Sequence, residues 1–400
     1  MSATPDTADA LGTPTTSGLV TPPLGLYVHL PWCVRKCPYC DFNSHAAPDT
    51  LPVADYLAAL RADLEQEFAR AGEHPIETVF IGGGTPSLFP PEAIGQLLEW
   101  LAPRLSPDAE ITLEANPGTL EQGRFAAFRA NGVNRLSIGV QSFDAARLEA
   151  LGRIHGPGEA HDAIDAAHAA GFDSFNVDLM FALPGQDPQG AVADVRTAIA
   201  CGAPHISHYQ LTIEPNTVFY SRPPQLPDED TAWAMQQDCR EVLEAAGLRR
   251  YEVSAWSLPG HACQHNLNYW RFGDYLAIGA GGHGKVTDAS SGTITRYRKV
   301  KVPQLYMARA RAGTPDAAQW PLPPAERPLE FLMNALRLDA GVPRALLDQR
   351  TGVDDAAVQA AVATARRDGL LDPDPDRLRA SDAGQLYLDT LLQRFLPESE

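Results

Sequence analysis

The stretch "YVHLPWCVRKCPYCDFNSH", residues 27–45, places three of the chain's six cysteines within eight residues. Cys33, Cys37 and Cys40 have the spacing C-x3-C-x2-C, and no fourth cysteine follows at Phe42 or nearby. Closely spaced thiolates are typical of a metal site, and such a site usually has four protein ligands. The stretch therefore predicts a metal centre with one coordination position left open.

Composition predicts a globular protein with one large domain and a smaller one. The chain has 400 residues, of which 44% are hydrophobic and 20% charged, so a sizeable core can be buried. A net charge of −18 argues against a nucleic-acid partner, which would select a basic surface. The sequence has no apolar run of about 18 residues or more, so no membrane span is expected.

The first 22 residues are rich in Thr, Pro, Ala and Ser and have neither a basic start nor a long apolar core. They predict a disordered tail, residues 1–22, rather than a signal peptide. Without export we expect a cytoplasmic protein whose cysteines remain thiols. The 27–45 cluster is then a candidate metal site and not part of a disulfide framework.

From Leu24 to about Val253, short apolar runs alternate with helix-periodic stretches, which predicts a parallel α/β sheet, either closed toward a barrel or doubly wound. Chemically distinctive residues follow successive strands, as they do around the mouth of a barrel, and this favours the barrel. The expected strands are 25–30, 77–81, 110–114, 135–140, 174–181 and 205–211, with a seventh in 249–256.

The remaining chain predicts an extension at residues 261–310, a Pro-rich linker at 311–326 and a helical C-terminal domain at 327–400. Helical patterns followed by a short polar segment suit a winged-helix-like module. Residues 327–400 contain nine Arg and no Lys against thirteen acidic residues, so we do not expect this module to bind DNA. It is expected to act as a lid or a protein contact.

Three interpretations of the cysteine stretch compete. A Cys3His zinc site could recruit His29 or His45, and a [4Fe–4S] cluster could leave one iron without a protein ligand. The third interpretation is a surface loop with incidental cysteines. The spacing differs from the C-x2-C pairs typical of zinc, and it is similar to the signature of the radical S-adenosylmethionine (SAM) family. In that family SAM chelates the open iron and is cleaved to a 5′-deoxyadenosyl radical.

The sequence has two glycine-rich segments. "FIGGGTPS", residues 80–87, follows an expected strand and lets the backbone approach a ligand; it resembles the radical SAM element that holds the SAM amino group. "IGAGGHGK", residues 278–285, satisfies G-x-G-x-x-G, but the sequence after it is β-like and rich in turn residues. A dinucleotide fold needs a helix there, so we reject an NAD site.

"QHNLNYW", residues 264–270, places His, Asn, Tyr and Trp within six residues. A neutral imidazole can ligate haem iron, and aromatic rings can pack on a porphyrin face. A single histidine in an aromatic segment is nevertheless more often a packing residue.

Across about residues 24–395 the motifs occur in the order seen in one radical SAM group. Besides the cysteine stretch they are "GGGTPS", "LEANP", "GVQSF", "LGRIH", "NVDLMFALPGQ" and "GAGGHG". This group contains the oxygen-independent coproporphyrinogen III oxidases and related haem chaperones. The resemblance implies a partial (β/α)6 TIM-like barrel, residues 23–260, with a smaller and mostly helical C-terminal domain.

The resemblance also implies site residues. Cys33, Cys37 and Cys40 would ligate the [4Fe–4S] cluster. SAM contacts would come from Tyr27, Gly83, Gly84, Thr85 and Glu114. In the oxidase a second SAM-binding set includes the positions of Tyr39, Gln141, Arg153 and Asp178.

Two places separate the members of the group. The oxidase has a further cysteine where this chain has Phe42. The haem chaperones carry H-N-x-x-Y-W, which is present here as His265, Asn266, Tyr269 and Trp270. The resemblance therefore favours a haem chaperone that binds haem and passes it to acceptor proteins, with the alternative of an oxidase that decarboxylates coproporphyrinogen III. A peripheral membrane contact and a homodimer are left open.

Overall fold

The computed structural model describes residues 18–118, 123–354 and 356–396. Most of the segment expected to be a disordered tail, residues 1–17, lies outside the described residues.

The central feature is one large mixed sheet. Its strands are β1 (Leu24–Leu30), β4 (Ile76–Gly83), β5 (Leu105–Ala115), β6 (Arg135–Gln141), β7 (Phe175–Phe181), β8 (His205–Gln210), β9 (Arg249–Glu252), β10 (Ala255–Ser257), β11 (Asp274–Ile278), β12 (His283–Asp288), β13 (Thr293–Lys299) and β14 (Asp316–Pro321). In the described part of the chain they lie in the order β14-β13-β12-β11-β1-β4-β5-β6-β7-β8-β10-β9. Two further strands, β2 (Trp32–Cys33) and β3 (His45–Ala46), form a small parallel pair.

Helices connect these strands. In the first part of the chain they are α1 (Val53–Ala71), α2 (Pro91–Leu101), α3 (Phe125–Ala130), α4 (Ala145–Ala150), α5 (Pro157–Ala169), α6 (Pro188–Ala200), α7 (Val218–Ser221) and α8 (Glu229–Ala245). They are followed by α9 (Gln264–Trp270) and α10 (Pro303–Arg311), and 3-10 turns occur at Pro86–Leu88, Ala102–Arg104 and Pro324–Glu326.

Six strands, β1, β4, β5, β6, β7 and β8, lie side by side in chain order and pair in parallel. This arrangement follows from the repeated strand–helix units, because a parallel pair needs a crossover connection. Helices cover the sheet, so the strands read as nearly continuous apolar runs; every residue of β6 is buried. The six strands predicted from the sequence are thus confirmed.

The parallel strands curve around a polar interior. Alternate residues of a strand point to the same face, and such residues from β5 to β8 line one cavity. The cavity is lined in part by Thr112 and Glu114 of β5, Ser137 of β6, Asn176 and Asp178 of β7, and Ser207 and Tyr209 of β8. The strand order is linear, with edges at β14 and β9, which is consistent with the expected partial barrel.

The extension continues the sheet beyond β1. Strand β11 pairs in parallel with β1, and β12, β13 and β14 follow as an antiparallel meander. The segment after the G-x-G-x-x-G motif forms the β12–β13 hairpin, as its β-like sequence predicted, and not the helix that a dinucleotide fold needs. Helix α9 packs against β1, β4 and β11.

The prediction of a linker at residues 311–326 is wrong. Residues Asp316–Pro321 form β14, which pairs with β13 at one edge of the sheet. Proline is tolerated in an edge strand because no further strand needs its missing N–H, so a Pro-rich composition did not exclude a strand here. The expected seventh strand, within 249–256, is divided into the short antiparallel strands β9 and β10.

A fully buried cation joins α1 to the extension. The Lys299 ammonium lies 2.7 Å from carboxylate oxygens of both Asp63 and Glu67, and 2.8 Å from Asp316. The second oxygen of Asp63 accepts a 2.6 Å hydrogen bond from the Tyr306 hydroxyl. Burying these charges is tolerable only because each is paired.

The C-terminal part contains α11 (Arg327–Ala335), α12 (Ala345–Thr351), α13 (Ala356–Arg367), α14 (Asp382–Leu386) and α15 (Leu388–Gln393), with β15 (Val342–Pro343) and β16 (Arg377–Leu378) paired antiparallel. Its apolar core includes Phe331, Leu332 and Leu391, and extends to Phe272 and Ile294 of the extension. No helix among the described residues is long and apolar enough to span a membrane.

Replacing Lys299 by Met should lower the free energy of unfolding by about 3–5 kcal/mol, because it leaves Asp63 and Glu67 buried without their cation. Urea unfolding measures the effect. Lys301→Met is the matched control, since Lys301 is exposed and its replacement should change stability by less than about 0.5 kcal/mol. A Lys299→Met variant as stable as the control would contradict a stabilising role for this network.

Candidate cluster and cofactor site

The three cysteines predicted as ligands lie on one loop at the carboxyl end of β1. Cys33 ends β2, and Cys37 and Cys40 follow before β3. All three line a cavity of about 250 Å³, which we call the cluster cavity. It is also lined by predicted SAM-site residues, namely Tyr39, Gly83, Gly84, Thr85, Glu114, Gln141, Arg153 and Asp178.

Backbone contacts hold the cysteine loop against the glycine segment after β4. The Gly84 N–H donates to the carbonyl of Leu30, and the Thr85 N–H donates to that of Trp32, both at 2.8 Å. A Cβ at Gly84 would lie 2.5 Å from the Trp32 carbonyl oxygen, so no larger residue fits there without a backbone shift. On the loop itself, the Lys36 ammonium donates to the carbonyls of Phe42 and Ser44.

Arg153 places a cation beside the cysteines. Its Nη2 donates to Asn116 Oδ1 and to the Gly139 carbonyl, each at 2.7 Å, and its Nη1 lies 3.6 Å from Cys37 Sγ. Its Nε is buried without a hydrogen-bond partner among the described residues. A neighbouring cation stabilises a thiolate, which is the form of cysteine that binds metal.

Glu114 contributes a buried carboxylate at the end of β5. Its Oε2 accepts a 2.9 Å hydrogen bond from the Gly83 N–H, while Oε1 takes no hydrogen bond within the described residues. Burial, with a smaller contribution from nearby Asp178, raises the pKa of Glu114 from 4.5 to about 7. A buried carboxylate with a free oxygen can accept hydrogen bonds from an ammonium or from hydroxyl groups of a ligand.

Gln141 and Asp178 complete the polar wall. Gln141 has a positive φ of 71°, and its Oε1 accepts a 2.8 Å hydrogen bond from the Tyr209 hydroxyl. Asp178 accepts from the Asn176 amide at 2.8 Å, and burial raises its pKa. A non-glycine residue with positive φ at a cavity wall is a strained conformation of the kind found at functional sites.

The donor set suits the groups that the sequence predicts. Thiolates on one loop are the ligands that iron–sulfur clusters take. Beside them lie the free oxygen of Glu114 and the unpartnered Nε of Arg153, groups of opposite charge that match a ligand carrying both an ammonium and a carboxylate. The residues present therefore fit a cluster with SAM bound next to it.

Tyr27, predicted as a SAM contact, lies on a second cavity instead of the cluster cavity. Its hydroxyl donates to His29 Nδ1 at 3.0 Å, and His29 Nε2 bonds to the Asn43 carbonyl. The second cavity shares Gly83, Glu114 and Phe42 with the cluster cavity, so the two are adjacent. Phe42 is 63% exposed at their junction.

The H-N-x-x-Y-W motif forms α9 and lies within the fold. His265 is only 1% exposed; its Nδ1 is hydrogen-bonded to Thr78 Oγ1 at 2.8 Å and its Nε2 to the Tyr269 hydroxyl at 3.0 Å. Burial lowers its pKa to about 3, so the ring is neutral. Asn266 lines the polar cavity formed by β5 to β8, and the Trp270 ring packs under the Arg337 guanidinium at 4.4 Å. The structure therefore does not bring these four side chains together into one cavity.

Sequence reasoning did not single out Asn116 and Tyr209. Asn116 links the glycine segment to Arg153, because its amide nitrogen donates to Thr85 Oγ1 and its oxygen accepts from Arg153. It belongs to the "LEANP" motif and directly follows a strand, and this position could have identified it as a site residue. Tyr209 lies near the end of β8, within a run that reads as an ordinary strand.

Glu114 should make the stability of the cofactor-free protein depend on pH. Because the folded-state pKa is raised, the protonated carboxyl stabilises the fold below about pH 4.5, and this stabilisation is lost as pH rises through about 7. Each pKa unit is worth about 1.4 kcal/mol, so the loss is about 3 kcal/mol. Glu114→Gln should make the decline in urea unfolding between pH 4.5 and 7.5 smaller by about 3 kcal/mol.

The matched control is Glu99→Gln on the exposed side of α2, which should keep the decline. An unchanged pH profile in Glu114→Gln would show that Glu114 titrates normally.

Comparison with known proteins places this site in a family. The profile of the Radical SAM superfamily matches residues 27–198, and that of the HemN C-terminal domain matches residues 322–387. The Escherichia coli K12 protein "Heme chaperone HemW" is 48% identical over 379 residues, which cover 94% of this chain and 99% of that protein. The HemW of Mycobacterium tuberculosis H37Rv is 36% identical over 94% of this chain and 95% of that protein.

A mitochondrial protein of Bos taurus, "Radical S-adenosyl methionine domain-containing protein 1", is 35% identical over 97% of this chain and 91% of that protein. Among solved structures, coproporphyrinogen III oxidase (HemN) from Escherichia coli superposes with a TM-score of 0.80 at 21% identity, covering 95% of this chain and 92% of that chain. The last comparison establishes a HemN-like radical SAM fold. With nearly half of its residues identical to those of one HemW along almost its whole length, the chain belongs to the HemW family of radical SAM proteins.

Proposed function

We propose that the chain is a cytoplasmic haem chaperone that binds haem and transfers it to acceptor proteins, while holding a [4Fe–4S] cluster and SAM. The observation that carries the proposal is the 48% identity, over 94% of the chain, to a protein named as a haem chaperone. Two sequence features support the same assignment. One is the H-N-x-x-Y-W motif, which lies on α9, and the other is Phe42, which stands in place of a further cysteine.

In this proposal Cys33, Cys37 and Cys40 hold the cluster. When bound, the cluster would supply an electron to SAM held beside it. Arg153 provides a positive charge next to Cys37, because its Nη1 lies 3.6 Å from Cys37 Sγ. The close backbone packing of Gly84 on Trp32 fixes the position of the cysteine loop relative to the cavity.

Glu114 orients SAM. Its Oε2 is occupied by the Gly83 N–H, so Oε1 is the oxygen that remains to accept from the ligand. Burial raises the pKa of Glu114 to about 7 in the ligand-free chain, and an ammonium bound at Oε1 would lower it and favour the carboxylate. The same cavity is also lined by Gln141, Arg153 and Asp178.

Haem ligation by His265 would need a rearrangement. Both ring nitrogens are hydrogen-bonded, and the ring stacks on Phe80 with centroids 5.3 Å apart. The Tyr269 hydroxyl would have to leave Nε2 before that nitrogen could reach an iron. In this structure the motif does not present a free histidine for iron, and it would do so only after that rearrangement.

Haem binding by the purified chain tests the proposal directly. We expect the wild-type chain to bind haem with a defined Soret band in an anaerobic titration, and His265→Ala to weaken that binding because it removes the ring that would ligate the iron. Tyr269→Phe frees Nε2 without removing the ring, so it should bind haem at least as tightly as wild type. A wild-type chain that fails to bind haem, or that converts coproporphyrinogen III to protoporphyrinogen when SAM and reductant are present, would overturn the proposal.

The cluster assignment has its own test. The Cys33/Cys37/Cys40→Ala variant should lose the iron and the broad visible absorption of the reconstituted protein. Cys201→Ala is the matched control, since Cys201 is a half-buried thiol on a different part of the fold. Equal iron content in the two variants would contradict ligation by the loop. Haem transfer to an acceptor, measured on the same variants, then shows whether the cluster controls release.

A further inference from the structure

The C-terminal part of the chain packs on α9, the helix that carries the H-N-x-x-Y-W motif. Helix α9 contacts α11. Its side chains Leu267 and Trp270 pack against the apolar core that includes Phe331 of α11. Just after α9, the Phe272 and Phe331 rings lie edge to face with centroids 5.9 Å apart. A movement of α9 would therefore break contacts with the C-terminal part.

Arg337, just after α11, holds the end of α9. Its guanidinium carbon lies over the Trp270 ring, 4.4 Å from the ring centroid. Nη2 of the same guanidinium donates to Oε2 of Glu252 at 3.1 Å, and Glu252 is only 4% exposed. A guanidinium is attracted to the face of an indole ring, and the attraction is stronger where water is excluded. Since Glu252 is the last residue of β9, Arg337 ties Trp270 to the edge of the large sheet.

The backbone that follows Arg337 is fixed to the same strand. The Asp339 N–H donates to the Tyr251 carbonyl at 3.0 Å, and an ion pair of 2.8 Å joins Asp339 to Arg250. The guanidinium over Trp270 is therefore held from a fixed position outside α9.

A second chain of contacts runs from α11 to the histidine of the motif. Glu330 of α11 accepts from Nε of Arg296 at 2.8 Å, and Nη1 of Arg296 donates to the Tyr275 hydroxyl at 2.9 Å. The Tyr275 and Tyr269 rings meet edge to face at 4.5 Å, and the Tyr269 hydroxyl is hydrogen-bonded to His265 Nε2 at 3.0 Å. The tyrosine that occupies Nε2 is thus positioned by contacts that reach back to α11.

The contact between Arg337 and Trp270 leaves two buried donors unused. Trp270 Nε1 and Arg337 Nε are buried and have no hydrogen-bond partner among the described residues. A buried N–H without a partner raises the free energy of the state that contains it, and this penalty disappears when the group meets water or an acceptor. Hydration of these two groups would therefore offset part of the cost of separating α9 from Arg337.

We propose that the C-terminal part of the chain holds α9 in a closed form, and that Arg337 and Tyr275 are positioning residues for haem binding. This inference rests on the proposed function, in which the rearranged His265 ring ligates the iron, and it adds which contacts limit the rearrangement. When only a fraction of the molecules can bind a ligand, the apparent affinity falls by that fraction. Weakening either contact should therefore speed haem binding.

The test is stopped-flow haem binding to the full chain, carried out anaerobically with the cluster reconstituted, together with haem dissociation into excess apomyoglobin. Arg337→Gln removes the cation over Trp270 and should raise the association rate constant by about tenfold. The dissociation rate constant should stay unchanged, because the open form that holds haem makes neither contact. Arg337→Lys keeps a cation at this position and should retain the wild-type association rate, which distinguishes positioning by charge from any effect of altering the residue.

Tyr275→Phe is a milder change, because it removes only the hydroxyl that accepts from Arg296 and leaves the contact of Arg296 with Glu330. It should raise the association rate constant by about threefold or more. Arg394→Gln is the matched control. It removes an ion pair with Asp368 from the C-terminal part, and Arg394 has no hydrogen bond or ring contact with α9 among the described residues. It should associate and dissociate as wild type does.

Amide hydrogen exchange of α9 measures the same opening without haem. The α9 amides should exchange faster in Arg337→Gln and in Tyr275→Phe, by the factors by which haem association is accelerated, and at the wild-type rate in Arg394→Gln. Urea unfolding of the three variants separates this local opening from a general loss of stability.

The outcomes separate this inference from the function on which it rests. If the wild-type chain binds haem while Arg337→Gln and Tyr275→Phe associate no faster than the control, the inference is overturned and the chaperone proposal stands. Slower association would show that these residues support the haem-bound form, which contradicts a closed form held by them. Should Arg337→Gln not fold, Tyr275→Phe decides between the same outcomes. If the wild-type chain binds no haem, both proposals fall.

Discussion

The end of β1 and the start of the cysteine loop lie between two glycine segments. The backbones of these segments approach so closely that a Cβ atom would not fit. On one side Gly84 donates to the Leu30 carbonyl and lies against the Trp32 backbone. On the other side a Cβ at Gly279 would stand 2.3 Å from the His29 carbonyl oxygen. Both glycines contact the backbone at or just after the end of β1. The sheet therefore fixes where the cysteine loop begins. The cluster cavity and the second cavity, which contains Tyr27, both lie next to these contacts and share Gly83.

The charged side chains that line the cluster cavity do not form stabilising ion pairs with one another. Glu114, Asp178 and Arg153 all lie at the cluster cavity, yet no ion pair joins them within the described residues. Burying such groups without pairing raises the free energy of the folded state, and perturbed carboxylates of this kind cluster at functional sites. The Lys299 network shows the contrasting arrangement, in which every buried charge is paired and the role is structural. The fold thus keeps its stabilising charges apart from those that remain for ligands.

Local patterns predicted the parallel strands, the cysteine loop and the glycine segment well, because each depends on residues close together in the chain. The division of 249–256 into two strands and the edge strand at 316–321 were missed. Both depend on pairing with distant strands, and Pro-rich composition could not reveal that Asp316 is anchored by Lys299 and Arg70. Tyr209 was missed for a similar reason, since its partner Gln141 lies 68 residues away.

The amino-acid sequence by itself determined that three cysteines share one short loop, because the C-x3-C-x2-C spacing is local, and from this it predicts the residues that would hold the cluster. It also identified the H-N-x-x-Y-W motif, but not how accessible its histidine is. Only the tertiary structure decided that His265 is buried against Thr78, 187 residues away in the chain, and that Arg337 of the C-terminal part packs over Trp270. Whether an imidazole can reach a ligand depends on the segments packed around it, and those segments are brought together only by folding.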